Sequence, residues 1–187
     1  MESIGNILYS IINEIGKEKI QTAITLNVAV SKQYIQMIID RFKEVVNLND
    51  ENVGSLCEAL LHFMLTIRTL PSVRKVTIEK MNLDVVIPNL HALRNFPEKA
   101  IIIQIVKDSQ GITEDQQKDI ATIQPNVNNI WVVTKEPASG DYVNYTAECG
   151  NEKSTTFQNR SFHDIIVDIE AFLEKTNDRS FKFFHTQ

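Results

Sequence analysis

Asp84, Gln104 and Lys107 are the side chains that could do chemistry within a largely apolar stretch at residues 73–107. A carboxylate can hold a divalent cation, and an ammonium group can stabilise a developing negative charge. Each residue also has a structural interpretation. Asp84 could bind turn amides or pair with Arg94 or Lys107, while Lys107 could lie on a solvated strand edge. Gln104 needs a hydrogen-bond partner inside an apolar run. Residue types alone leave both interpretations open.

Three predicted strands carry these residues. Residues 73–79 alternate between a drier and a wetter face, and 83–87 form a second strand that Pro88 ends, because proline cannot donate to a ladder. The run AIIIQIV at 100–106 is continuous and β-branched, which is typical of a central strand covered on both faces. The sequence therefore predicts a sheet in which the strand bearing Asp84 lies beside this central strand.

Helical patterns and further strands surround this predicted sheet. Apolar residues recur every three and four positions over 51–70, and Pro71 ends that helix. Thr113 and Gln116 have the spacing of a capping box, which opens another helix. The remaining elements are expected at 129–134, 141–148 and 153–158 (strands), from Ser161 (a last helix) and at 181–185 (a short strand or a segment that docks against a partner).

The N-terminal third is predicted to be helical. A helix at 3–15 ends at Gly16, and residues 19–46 resemble a helix-turn-helix unit, with Ala29 in the tight turn and Ser31 as N-cap. If the second helix faces a major groove, its candidate DNA contacts are Ser31, Lys32, Gln33 and Gln36. The alternative is helical packing or dimerisation without DNA, because residues 1–49 carry no net charge.

Charge is distributed unevenly along the chain. The net charge of −5 argues against a general polyanion binder. Residues 68–107 nevertheless carry seven basic and three acidic side chains, whereas residues 108–187 carry seven basic and thirteen acidic ones. Arg74, Lys75 and Lys107 in the basic block are therefore candidate nucleic-acid contacts. The alternative is that they are solvated strand edges and loop tips.

Composition excludes several classes of protein. Two cysteines are too few for a disulfide scaffold or a cysteine-based zinc site, and six isolated glycines form no phosphate-binding loop. No apolar run approaches the roughly 18 residues of a membrane span, and the N-terminus lacks the basic region of a signal peptide. We therefore expect a cytoplasmic protein without a membrane partner.

The element order from residue 51 onward is helix, strand, strand, strand, helix, strand. This order resembles the core of the PD-(D/E)XK nucleases, which have the restriction-endonuclease-like fold. The resemblance covers residues 51–134 and implies a metal-binding Asp on the second strand, for which Asp84 is the candidate. It also implies an acid and, two residues later, a lysine on the third strand, and often a Glu on the first helix, for which Glu58 is the candidate.

The sequence departs from this family's motif on the third strand. Ile105 stands two residues before Lys107, where the acid belongs. Taking Gln104 as the metal-side residue, as Mrr-like enzymes do, places Val106 where the lysine belongs. Gln104 and Lys107 would face opposite sides of an unbroken strand, unless a β-bulge at Val106 brought them together. Leu83 also replaces the usual proline before Asp84.

We therefore expect an α/β (α+β) protein with a helical unit at 1–48 and a restriction-endonuclease-like mixed sheet flanked by helices at 51–187. The leading hypothesis is a nucleic-acid-associated protein in which Asp84, Gln104 and Lys107 mark a degenerate nuclease site. One alternative is an assembly module that forms a homodimer or binds another protein through its C-terminal half. The other is a DNA nuclease that uses Mg²⁺ at Glu58 and Asp84; without catalysis no cofactor is expected.

Overall fold

The computed structural model describes residues 3–108, 112–138, 140–147 and 159–182, without the side chains of residues 28 and 177–182. Within these ranges the helices are α1 Ile4–Ile15, α2 Lys17–Leu26, α3 Val28–Val45, α4 Asp50–Ile67, α5 Leu90–Asn95, α6 Glu114–Ile123 and α7 Ile165–Lys182. The strands are β1 Val73–Ile78, β2 Met81–Ile87, β3 Ile101–Ile105, β4 Ile130–Thr134, β5 Val143–Thr146 and β6 Asn159–Ser161.

The six strands form one mixed sheet in the order β1-β2-β3-β4-β5-β6. β1, β2 and β3 are antiparallel neighbours, whereas β3 to β6 run parallel. The predicted placement of the apolar third strand is confirmed, because β3 pairs with β2 on one side and with β4 on the other. A mixed α+β sheet was the predicted class, and it is the class observed.

Alternate residues of the central strands contribute to two hydrophobic cores, one on each face of the sheet. Ile101, Ile103 and Ile105 join the core formed with α1, α3, α4 and α7. Ala100 and Ile102 join the core on the α5 and α6 side. This alternation follows from the period of two along a strand, and it explains why β3 needs apolar residues at successive positions.

The N-terminal helices share the first core. Buried residues of α1 to α4 and of the sheet belong to one apolar cluster. Arg68, just after α4, connects three helices, since its guanidinium donates to the carbonyl oxygens of Ile24 (3.1 Å) and Thr25 (2.5 Å) and pairs with Glu170. The division into units at 1–48 and 51–187 stays a prediction.

The predicted turn of the helix-turn-helix unit is wrong. Asn27 is the only residue between α2 and α3, and its side chain caps α3 by accepting from the amide of Val30 at 3.1 Å. Ala29 is therefore helical, and Ser31 lies inside the helix instead of capping it. Asparagine is as good an N-cap as serine, so the helix begins at the earlier of the two.

Other element predictions differ in detail. The capping box of Thr113 and Gln116 is confirmed, whereas the second strand begins at Met81, two residues before its predicted start at 83. Residues 181 and 182 continue α7 instead of starting a strand, and the rest of that predicted segment lies outside the described residues, as does the strand expected at 153–158. Among the described helices, none is both long and apolar enough to cross a membrane.

Candidate functional site

The hairpin of β1 and β2 is irregular at one cross-strand position. Arg74 pairs with Val85 and Val76 pairs with Leu83, but Lys75 and Asp84, which lie opposite each other between these pairs, are not paired in the ladder. The backbone φ of Lys75 is 52°, in the left-handed region that residues with a Cβ rarely adopt. Lys75 and Asp84 therefore lie where the regular alternation of the hairpin is interrupted.

This irregularity brings two consecutive cations to one carboxylate. Successive side chains of a regular strand point to opposite faces of the sheet. Arg74 and Lys75 nevertheless both approach Oε1 of Glu58 on α4, at 3.5 Å from Nη2 and 2.6 Å from Nζ. Lys75 Nζ also lies 4.0 Å from Oδ1 of Asp84. With this left-handed backbone, Lys75 and Arg74 of β1, Asp84 of β2 and Glu58 of α4 form one cluster of charges.

The side chains of Asp84 and Gln104 form hydrogen bonds with the backbones of β2 and β3 just beyond the point where the regular pairing of these strands ends. Regular pairing stops at Val85 and Ile103. Beyond it the amide of Asp84 donates to Oε1 of Gln104 at 2.8 Å, and the amide of Ile105 donates to Oδ2 of Asp84 at 2.8 Å. Gln104 Nε2 donates to the carbonyl oxygen of Asn82 at 3.0 Å. Both side chains therefore satisfy backbone groups that a regular sheet would pair with each other.

Lys107 reaches the cluster from the other side, just after β3. Its Nζ donates to Oε2 of Glu58 at 2.7 Å. This contact depends on Gly54, one helical turn before Glu58, because a Cβ there would lie only 2.6 Å from the carbonyl oxygen of Val106 and 2.8 Å from Cγ of Lys107. Gly54 thus lets α4 approach the chain at the end of β3 closely enough for the ion pair.

Glu58 is the electrostatic centre of this arrangement. Burial raises the pKa of its carboxyl, but the hydrogen bonds and charges of Lys107 and Lys75 outweigh burial, and the net pKa is lowered. His62, one turn further along α4, has a lowered pKa because burial and the charge of Arg74 disfavour the imidazolium despite the charge of Glu58. Glu58 is therefore ionised at neutral pH, beside three cations.

The cluster contains two carboxylates that could be metal ligands, those of Glu58 and Asp84. Ile105, at the position where the nuclease motif has its acid, is buried in the core with 7% of its surface exposed. The described residues contain no group of three or more His, Cys, Asp and Glu able to hold a metal. Mg²⁺ is commonly held by one or two carboxylates together with water and substrate phosphates, so Glu58 and Asp84 suit that ion as a donor pair.

The residues predicted as catalytic line one cleft. Asp84, Gln104 and Lys107 border a space of about 290 Å³ together with Asp108 and residues of α6. Gln104 and Lys107 have different partners, since Gln104 donates to the backbone of β2 and Lys107 donates to Glu58 of α4. The ladder continues through Val106, because its amide donates to the carbonyl oxygen of Val133 at 2.9 Å. A bulge at Val106 therefore does not bring Gln104 and Lys107 together.

The candidate DNA contacts of α3 lie on a separate surface. Ser31 is only 3% exposed, so its hydroxyl is not presented to a groove in the free protein. Lys32 pairs with Asp164, and Gln36 donates to Asp40 at 2.8 Å. Lys32, Gln33 and Gln36 as DNA contacts stay predictions, as do a dimer, a protein partner of the C-terminal half and a cytoplasmic location.

Two features of the site were missed at the level of sequence. Gly54 has a detectable signal, since a glycine inside a strongly periodic helix suggests a close approach of another backbone. Lys75 was expected only as a phosphate contact, and its position beside both carboxylates has no signal in the sequence. Its left-handed backbone, with a φ of 52°, is likewise not indicated by any pattern in the sequence.

A six-stranded mixed sheet between helical layers, with an antiparallel hairpin leading into parallel strands, is the arrangement of the restriction-endonuclease-like fold. The chain has this fold, as the resemblance predicted. It is similar to restriction endonuclease PspGI in complex with substrate DNA, with a TM-score of 0.60 and 14% identity over 94% of this chain and 94% of that chain.

Metal-depleted Ecl18kI in complex with uncleaved, modified DNA also matches, with a TM-score of 0.60 and 11% identity over 95% of this chain and 80% of that chain. A complex of metal-depleted Ecl18kI with uncleaved DNA matches at a TM-score of 0.54 and 10% identity, over 94% and 80% of the two chains. No protein-family model and no curated protein match the sequence. The likeness to these structures is one of fold.

Proposed function

We propose that the protein binds DNA through the end of the sheet where Arg74, Lys75 and Lys107 meet. The observation that carries this proposal is the convergence of these three cations on Glu58 from β1 and from the end of β3. Together with Asp84 the cluster holds three cations and two carboxylates, in a chain whose net charge is −5. Three cations gathered at one place on a negative protein favour a specific phosphate contact over general polyanion binding.

The exposure of the cations supports the same function. The side chains of Lys75 and Lys107 are 57% and 37% exposed, so both can form additional contacts with a phosphate while Glu58 stays 13% exposed beneath them. PspGI and Ecl18kI, which share the fold, are in complex with DNA in their structures. In this proposal the carboxylates position the cations in the free protein, and the cations bind the DNA backbone.

Salt dependence of DNA binding tests the proposal. We expect a fluorescently labelled duplex of mixed sequence to bind, with an affinity that falls steeply between about 50 and 200 mM salt. Replacing Arg74 or Lys107 by Ala should weaken binding about five- to tenfold, and each should reduce the slope of log K against log salt by about 1. Fluorescence anisotropy measures both quantities.

Lys17→Ala is the matched control, because Lys17 is an exposed lysine at the start of α2, outside the cluster. It should leave the slope unchanged. A protein that binds no duplex at low salt would contradict the proposal. So would variants of Arg74 and Lys107 whose salt slopes equal that of the wild type.

A second candidate function is metal-dependent cleavage of DNA. The specific observation in its favour is that Glu58 and Asp84 both lie within 4.0 Å of Lys75 Nζ, so one small cation can approach both carboxylates. A divalent ion held there would polarise a phosphate and activate water. Lys107 would then stabilise the negative charge that develops.

Conversion of supercoiled plasmid with Mg²⁺ or Mn²⁺ tests this second function. We expect nicked or linear product from the wild-type protein and a loss of at least about 100-fold in rate for Asp84→Asn, since a neutral amide is a far weaker metal ligand than a carboxylate. Asp40→Asn, an exposed carboxylate on α3, is the control and should cleave as the wild type does. Cleavage that survives Asp84→Asn would assign the activity to another site or to a contaminant.

A further inference from the structure

We infer that Lys75 occupies the place of the divalent cation in the free protein, so that metal binds strongly only after this side chain has moved away. The inference deepens the second proposed function and rests on it, because it assigns the metal to Glu58 and Asp84. It concerns a residue that is not part of the nuclease motif.

The first observation is the pair of oxygen atoms that Lys75 faces. Nζ of Lys75 lies 2.6 Å from Oε1 of Glu58 and 4.0 Å from Oδ1 of Asp84. The second oxygen of each carboxylate has another partner, since Oε2 of Glu58 accepts from Lys107 and Oδ2 of Asp84 accepts from the amide of Ile105. A divalent ion held by Glu58 and Asp84 would therefore compete with the ammonium group of Lys75 for the same two carboxylates.

Arg74 is the other cation at Glu58 Oε1, and its geometry is different. Its Nη2 lies 3.5 Å from that oxygen, and the residue follows the regular ladder through its pairing with Val85. The cation near Asp84 is Lys75, whose Nζ lies 4.0 Å from Oδ1 of Asp84. Lys75 is therefore the side chain that links both carboxylates.

The second observation is the backbone of Lys75. Its φ of 52° lies in the middle of a strand, whereas Thr69 and Glu79, the other non-glycine residues described with positive φ, follow α4 and begin the hairpin turn. Left-handed backbone costs free energy for a residue with a Cβ and persists where the surroundings hold it. With regular strand dihedrals Lys75 would point away from the face that Arg74 uses, and its ammonium group would not reach Glu58.

The third observation is the exposure of Lys75, whose side chain is 57% exposed. Because Arg74 and Lys107 remain beside Glu58, the ammonium group of Lys75 can exchange this carboxylate for a DNA phosphate without leaving Glu58 unpaired. If phosphate draws Lys75 away, DNA and metal each raise the affinity of the protein for the other, because coupling between two binding events is reciprocal.

Binding of Mn²⁺ to the free protein, followed by electron paramagnetic resonance, tests the inference without reference to activity. Removing the ammonium group in Lys75→Met should tighten Mn²⁺ binding about fivefold. Lys75→Gly should do the same and also suits the left-handed backbone, so the two variants separate the charge from the strain. Lys80→Met, an exposed lysine at the hairpin turn, is the control and should bind Mn²⁺ as the wild type does.

Adding Glu58→Gln to Lys75→Met should abolish the gain, which places the bound ion at this pair of acids. Adding duplex should raise the Mn²⁺ affinity of the wild type more than that of Lys75→Met. Equal Mn²⁺ affinities of the wild type and both Lys75 variants, or a gain that survives Glu58→Gln, would overturn the role of Lys75. The titration of the free protein contains no DNA, so a failure of DNA binding would overturn the proposed DNA function separately.

Discussion

Replacing Gly54 by Ala is expected to destabilise the protein by about 2 kcal/mol, although alanine is the better helix former. The added Cβ would lie 2.6 Å from the carbonyl oxygen of Val106, and a backbone atom cannot rotate away as the end of a flexible side chain can. Either α4 or the end of β3 has to shift, and both belong to the same core. Urea unfolding at neutral pH measures the change in the free energy of unfolding.

The same shift should weaken DNA binding, because Lys107 would move relative to Glu58. Gly5→Ala is the matched control, since Gly5 lies in α1 and a Cβ there has only Ser3 Oγ within 4 Å, at 3.9 Å. Alanine at that position should be neutral or stabilising by up to about 1 kcal/mol. A stable Gly54→Ala variant with wild-type DNA affinity would show that the close approach of α4 and β3 does not position Lys107.

The fold could be predicted from the sequence largely because β3 has an unambiguous pattern. A run of β-branched residues too short for a buried helix, between a proline-terminated strand and a capped helix, has one plausible place in a mixed sheet. The helix boundaries were less predictable where two good caps compete. Asn27 and Ser31 both suit an N-cap, and the choice depended on whether the intervening residues 28–30 join the helix.

The site could be predicted only in part, because its geometry depends on local departures from regular structure. Glu58, Asp84 and Lys107 were identified through their positions in the element order. The contacts among them depend on a left-handed residue in β1 and on a glycine in α4, which no periodicity of the sequence requires. Asp84 has its structural role as well, since it accepts from the amide of Ile105, and Gln104 bonds to the backbone of β2.

This double role of Asp84 leads to the second large expected effect. Asp84→Ala should destabilise the protein by about 1 to 3 kcal/mol, because the amide of Ile105 loses its acceptor in a buried part of the sheet. Asp84→Asn keeps an oxygen that can accept the same hydrogen bond and loses only the attraction to the half-exposed Lys75. It should therefore stay within about 1 kcal/mol of the wild type.

Chemical denaturation of the three proteins at neutral pH measures the difference between the two substitutions. Asp40→Ala is the control, because it removes an exposed carboxylate outside the site. It should change the free energy of unfolding by about 0.5 kcal/mol or less. Equal losses in Asp84→Ala and Asp84→Asn would mean that the charge of Asp84, and not its bond to Ile105, stabilises the sheet. If Asp84→Asn alone is stable, it is the variant with which loss of metal binding or cleavage can be separated from loss of the fold.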